Sequence, residues 1–241
     1  NAKDHSIISN VFPSIIAGFY LSIVEFEQGL RSRIQWKQLR DNIVKCELEQ
    51  IDRKISPPQE ILVMPWTRNR INQSSTVDNL LERQDVGWSI NGRMSYVIPC
   101  DTMNRVIFNL GGYVEKISSN ISDTWQLTGF DKRIHGSFSH FAQSMKELFL
   151  SGDDFVYLNE QNDWNSVIST HLAPYGLGSV EFLKSQNNID YFEVALEPNA
   201  PLLIGKLSGI WERVNGKQSS CQVYLSNTEI SLQIQSRLSF I

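Results

Sequence analysis

Asn188-Ile-Asp-Tyr-Phe-Glu-Val-Ala-Leu-Glu-Pro-Asn-Ala-Pro-Leu-Leu-Ile-Gly-Lys-Leu-Ser-Gly-Ile-Trp-Glu-Arg-Val-Asn215 is the stretch that decides how the chain is read. Tyr191 to Leu196 has the aromatic and aliphatic composition of a strand. Pro198-Asn199-Ala200-Pro201 signals a helix start, where a proline's missing N–H would have had no intrahelical partner. From Leu202 to Val214 apolar residues recur at helical spacing. The stretch is therefore a strand, a short turn and a helix, and it carries no obvious chemistry.

Working outward, Gly178 leads into a strand at Ser179–Leu183, and Gln186-Asn187-Asn188 turns it towards the strand at Tyr191. Downstream, Gln222–Leu225 and Glu229–Ile234 read as a hairpin around Asn227. Upstream, Trp164 to about Leu172 is a helix capped by Asp163, Phe155–Leu158 a strand, Phe138–Leu150 a helix started by Ser137, and Thr124–Leu127 a strand. Asp101 caps a helix reaching about Ile117, and Asn91-Gly92 is a hairpin turn flanked by Val86–Ile90 and Arg93–Ile98. Ile61–Met64 reads as a short strand, and Trp66–Glu82 as an exposed loop. At the N-terminus, Ile15, Phe19, Ile23, Phe26, Leu30 and Ile34 predict one helix over Ile7–Ile34; a second helix follows over Lys37–Ile51 and is stopped by Pro57-Pro58.

This pattern predicts an α+β protein with helices packed on a mixed or antiparallel sheet. The segments are an N-terminal helical stretch over 1–58, a first α+β lobe over 59–152 and a second over 153–241, the two lobes being able to form one domain. Setting Met94–Ile117 against Tyr191–Val214 without a gap aligns Val97 with Val194, Ile107 with Ile204, Leu110 with Leu207, Gly112 with Gly209 and Glu115 with Glu212. An internal repeat of two related strand–helix–strand halves is one reading of that alignment; two unrelated amphipathic units are the other.

At 241 residues, with 41% hydrophobic and 20% charged residues, the chain has ordinary globular composition. A net charge of −4 argues against whole-surface binding to nucleic acid. Cys46, Cys100 and Cys221 form no CxxC pair, which suggests buried thiols in a reducing compartment, the cytoplasm, and neither a disulfide framework nor a metal site. Ile15–Val24 is too short to span a bilayer and has no basic leader, so neither a signal peptide nor an anchor is expected.

Chemistry-bearing groups are sparse. His135, Ser137, Ser139 and His140, with Asp153-Asp154 beyond, form the densest polar group, and an enzyme would use His135, His140 and Asp153; the histidines lack the i, i+4 spacing of a helical metal site. Trp66, Arg68 and Arg70 interleave aromatic and basic residues on the expected loop, a pattern suited to a partner protein. Trp164, Leu172, Leu203, Leu207, Ile210 and Trp211 could line an apolar pocket between helix and sheet, or simply form its core.

Tyr175-Gly-Leu-Gly178, Tyr191–Leu196 and Ile204-Gly-Lys-Leu-Ser-Gly-Ile-Trp-Glu212 follow one another in the order helix, Gly-x-Gly, strand, strand, helix, strand, strand. In this the last third of the chain resembles the C-terminal half of the 4-vinyl-reductase (hydrocarbon-binding) domain family, which is similar in fold to TRAPP-type trafficking subunits and the haem-nitric-oxide-binding domain. The resemblance implies a module that binds an apolar ligand or a protein. Cys221 is the one match to the cysteine that such domains carry in the last hairpin, and no histidine stands where a haem ligand would, so neither haem nor metal is implied. Phe155–Ile234 also fits a ferredoxin-like layout, which implies no inherited function. The expected function is thus a non-enzymatic binding or regulatory module for a small apolar ligand or a protein partner. A structural or assembly component, self-associating or bound to other proteins, and an enzyme are the alternatives, and no cofactor is expected.

Overall fold

A glycine ends the first helix and decides the N-terminal third of the chain. Gly29, at φ +69°, donates its N–H to the Glu25 carbonyl at 2.8 Å and closes helix α1, Pro13–Gln28. In the computed structural model, which describes residues 3–9, 13–57, 59–67, 81–85, 87–90, 92–95, 98–111, 119–158, 164–172 and 175–237, strand β1 (Lys3–Ile8) precedes this helix. Strands β2 (Leu30–Arg40) and β3 (Ile43–Lys54) follow it, and the three pair antiparallel in the order β1-β3-β2. The expected helical segment over 1–58 is therefore a β-α-β-β unit. Leu39, Ile43 and Cys46 satisfy helical spacing, but Val44, Cys46 and Leu48 alternate at the strand period, and these are the three that are buried. Asp41-Asn42 supplies the turn between the two strands.

The chain divides into two compact units, Asn1–Glu60 and Ile61–Ile241. The core of the first is small: Ala17, Val44 and Cys46, with Ile7, Ile16, Tyr20 and Ile34 packed around them. Buried Glu25 is satisfied locally, accepting from the Ser32 N–H at 2.8 Å and the Arg31 guanidinium at 2.9 Å.

In the second unit, β4 (Leu81–Gln84), β5 (Gly87–Ile90) and β6 (Arg93–Ser95) form a three-stranded antiparallel sheet, with β5 and β6 paired around Gly92 as Asn91-Gly92 predicts. Then come α2 (Cys100–Leu110), α3 (Ser119–Thr124), β7 (Trp125–Thr128), α4 (Lys132–Ser151) and α5 (Trp164–His171). They are followed by β8 (Val180–Gln186), β9 (Ile189–Val194), α6 (Ala200–Asn215), β10 (Ser219–Leu225) and β11 (Ile230–Ser236). The main sheet has the order β7-β10-β11-β9-β8 and is antiparallel except where β7 runs parallel to β10. The protein is α+β, with helices on a mixed sheet.

Helix α6 is the centre of this unit. One side meets β10 and β11, whose inward residues Cys221, Val223, Ile230, Leu232 and Ile234 are buried; another side meets α4. Two glycines permit the second contact: a Cβ on Gly205 would lie 2.1 Å from the Ala142 carbonyl oxygen, and one on Gly209 would lie 3.0 Å from the Phe149 ring. The helices thus approach backbone to backbone along Gly205/Ala142 and Gly209/Lys146. Arg213 ties the far end of the crossing by donating to the carbonyls of Phe149, Leu150 and Gly152 at 2.9 Å and to that of Asp154.

Several expectations change. The lobes 59–152 and 153–241 share this sheet and one core, the single-domain arrangement that the sequence left open. Helix α4 starts at Lys132 rather than Ser137, because Asp131 accepts from the Arg133 N–H at 3.0 Å and caps it; Arg133 holds that carboxylate down at about 2. Pro99, not Asp101, occupies the N-cap of α2. Asp101 instead accepts from the Leu62 N–H at 2.6 Å while Asn104 donates to the Leu62 carbonyl at 2.8 Å, so segment 61–67 is held by side chains and forms no strand. Residues 155–158 also form no strand, and two strands follow α6, which departs from the ferredoxin-like layout. The two aligned segments each run strand then helix, β6–α2 and β9–α6, but β6 and β9 lie in different sheets, and 112–118 fall outside the described residues.

Candidate ligand-binding cleft

The β8–β9 turn is built from two asparagines, Asn187 at φ 54° and Asn188 at φ 60°, residues that tolerate the left-handed region. It stands beside the end of α6, which terminates at Gly216 (φ 63°) with Gly216 N–H donating to Glu212 O at 2.8 Å and Asn215 Nδ2 donating to Trp211 O at 2.9 Å. Between these features lies an open cleft of about 620 Å³. Its apolar lining is Leu158, Trp164, Trp211 and Val214; its polar lining includes Gln186, Asn187, Asn188, Asn215, Asp190 and Lys217.

Both tryptophans are fixed from behind. Trp211 Nε1 donates to Asp190 Oδ2 at 2.6 Å, which locks the indole orientation and places a carboxylate at the cleft wall. Trp164 meets the Phe192 ring edge-on, with centroids 5.2 Å apart, and Phe182 at 6.2 Å. The cleft is therefore an amide-rich depression whose floor shows only the edges of two fixed indoles, Trp164 and Trp211, 1% and 4% exposed, beside Leu158 and Val214.

All six residues proposed from sequence to line a pocket belong to one continuous core. Of these, Trp164 and Trp211 line the cleft, while Leu172, Leu203, Leu207 and Ile210 are fully buried in that core and do not line it. Trp66, expected on an exposed loop, is 0% exposed: its ring packs edge-on to Phe138 at 5.4 Å, and its Nε1 donates to Pro198 O at 3.3 Å. An indole in that setting is core and cannot present a surface to a partner. Arg68 and Arg70 lie outside the described residues.

His135, His140 and Asp153 are not brought together. Both histidines sit on α4, each ring bonded to a local carbonyl, His135 to Phe130 at 3.2 Å and His140 to Gly136 at 2.9 Å. Asp153 follows the helix end, and a rise of about 1.5 Å per residue puts it roughly 20 Å along the axis from His140. Among the described residues, no three His, Cys, Asp or Glu side chains could hold a metal ion. No family model matches the chain, and no curated protein matches it.

Sequence reasoning missed the polar members of the cleft because Asn187, Asn188 and Asn215 serve turns and caps first; the Asn-Asn pair at the hairpin was the available signal. It also missed Lys206, which interrupts the apolar run of α6. This lysine is buried, its Nζ lies 3.4 Å from the Tyr175 ring centroid, and burial pushes it down to about 8, with Asp154 pulling the other way. Burial and then the Lys206 charge also lower His171.

Proposed function

We propose that the Ile61–Ile241 unit is a non-enzymatic binding module that takes a small ligand with an apolar body and a polar end. The observation that carries this is one cleft of about 620 Å³ in which Leu158, Val214 and the edges of two fixed indoles meet an amide rim. The apolar body would lie along Leu158, Val214 and the indoles, and the polar end would meet Asn187, Asn188 or Asn215. The resemblance to hydrocarbon-binding domains supports the same class of ligand. A cytoplasmic setting, where the three cysteines stay reduced, is part of the same reading.

Octanol, decanol and dodecanol are suitable probes, read by native mass spectrometry and tryptophan fluorescence. One saturable equivalent is expected, with binding weakened at least tenfold by Val214→Phe, which fills the cleft from its partly exposed wall. Absence of a saturable equivalent, or an unchanged titration in a folded Val214→Phe variant, overturns the reading.

One observation favours a second reading, assembly through the Asn1–Glu60 unit. Phe19, Ile23 and Phe26 recur at helical spacing on α1 and are 38%, 56% and 86% exposed. Sedimentation of the wild type against Ile23→Glu tests it: a self-associating wild type and a monomeric variant support assembly, and two identical monomers count against self-assembly.

A further inference from the structure

A second cleft, of about 460 Å³, opens where α4 and α6 meet the start of β10, and it shares no described lining residue with the Trp164–Trp211 cleft. Lys146 and Glu212 line it, paired at 2.9 Å and with side chains only 8% and 11% exposed. Removing two charges from water is costly unless both are held and fully bonded. Here the carboxylate is fixed from its protein side. Oε1 accepts from Lys146 Nζ at 2.9 Å, from Ser219 N–H at 2.7 Å and from Ser219 Oγ at 2.7 Å. Ser208 Oγ lies 2.8 Å from Ser219 Oγ and completes the chain by donating to it, since the Ser219 proton goes to Glu212.

Every one of those bonds uses Oε1. Among the described residues, Oε2 accepts none, and the Lys146 ammonium has one hydrogen-bond acceptor for three N–H donors. The cleft therefore offers an acceptor and a donor side by side, held in place by a network that is otherwise satisfied. Ile121 and Leu150 add apolar wall, while Glu147 and Arg237 bring one charge of each sign to the lining. With Lys146 and Glu212 the four charges cancel, so a free anion or cation gains little net attraction.

We propose that this dyad is a recognition site for a cis-amide edge: a primary carboxamide, lactam or cyclic imide whose carbonyl accepts from Lys146 Nζ while its N–H donates to Glu212 Oε2. The pattern discriminates by hydrogen-bond complement. A carboxylate places a second acceptor against Glu212, and an N,N-dialkyl amide has no proton to give; each covers Glu212 Oε2 without bonding it and strips it of water. Gln218, which is exposed, stands at the mouth of the cleft and offers a place to close it without touching the dyad.

The test titrates the full chain with nicotinamide, 2-pyrrolidone and uracil, using nicotinate and N,N-dimethylnicotinamide as controls, and follows backbone amide NMR shifts. Saturable shifts at Lys146, Glu212 and Ser219 with the first three probes are expected, and at least tenfold weaker binding of the two controls. Gln218→Trp should abolish the shifts with the fold intact, and Glu212→Gln, if folded, should weaken binding at least tenfold. Shifts that are absent for all three amides, equal for the controls, or unaffected by Gln218→Trp overturn the proposal. Loss of alcohol binding in Val214→Phe bears on the other cleft and leaves this outcome untouched.

Discussion

Helices α1 and α6 have the same length, 16 residues, yet α6 buries eleven of them and α1 buries two. Hydrophobicity does not explain the difference, because each helix carries five polar residues, with Glu25 and Glu27 charged in α1 and Lys206, Glu212 and Arg213 charged in α6. Partners explain it. Helix α6 has the five-stranded sheet on one side and α4 on another, and Gly205 and Gly209 let α4 close on it; among the described residues of the first unit, α1 packs on a three-stranded sheet and on no second helix. Burial follows from how many surfaces a helix can meet and how close they can come, and the clefts described above sit where α6 ends or crosses.

The sharpest way to break that contrast is to give each helix one methyl group. Gly205→Ala drives a Cβ to 2.1 Å from the Ala142 carbonyl oxygen and should cost on the order of 3 kcal/mol in denaturant unfolding, or separate the helices. Gly18→Ala on α1 meets nothing within 4 Å and should gain about 0.5–1 kcal/mol from helix propensity. Similar effects at both sites would remove close approach as the cause. Arg213→Ala strips its donors from the end of α4 and should cost about 2 kcal/mol by the same assay; a loss below about 0.5 kcal/mol would make the tie ornamental.

Lys206 tests the cost of burying charge on α6. Its folded value of about 8 lies below its ordinary 10.5, so between those pH values the unfolded chain holds the extra proton and stability rises with pH. Lys206→Met should therefore be more stable than wild type at pH 7 by about 1–2 kcal/mol, allowing for solvent screening, with the gap closing as pH rises towards 10. A gap that is constant with pH would contradict the sign. The smallest effect is chemical: Cys100 is exposed, while Cys46 and Cys221 are buried, and burial pushes the Cys221 thiol up to about 12. One thiol equivalent should react in the native protein and three after unfolding, counted by intact mass.

Much of the second unit was legible because its signals were local. Pro201 and Asn199 mark the start of α6, and Asn187-Asn188 and Gly92 mark hairpin turns. The N-terminal third misled because Cys46 belongs to two patterns at once, a helical one with Leu39 and Ile43 and a strand one with Val44 and Leu48, and strand pairing across Asp41-Asn42 decided between them. Trp66 misled for a related reason: the residues after it are polar, and nothing local shows that Phe138 and Pro198 will cover it. The cleft was half visible. The two indoles stood out by type, but Asp190 and the rim amides come together from a turn, a strand and a helix end, and such convergence is a property of the tertiary fold.

The most direct measurement is a crystal structure of the chain soaked with the tightest-binding alcohol. The account predicts density for the chain along Trp211, Trp164 and Val214 with its hydroxyl against Asn187, Asn188 or Asn215. Density lodged instead among Leu203, Leu207 and Ile210, or none at the cleft under saturating alcohol, would contradict it.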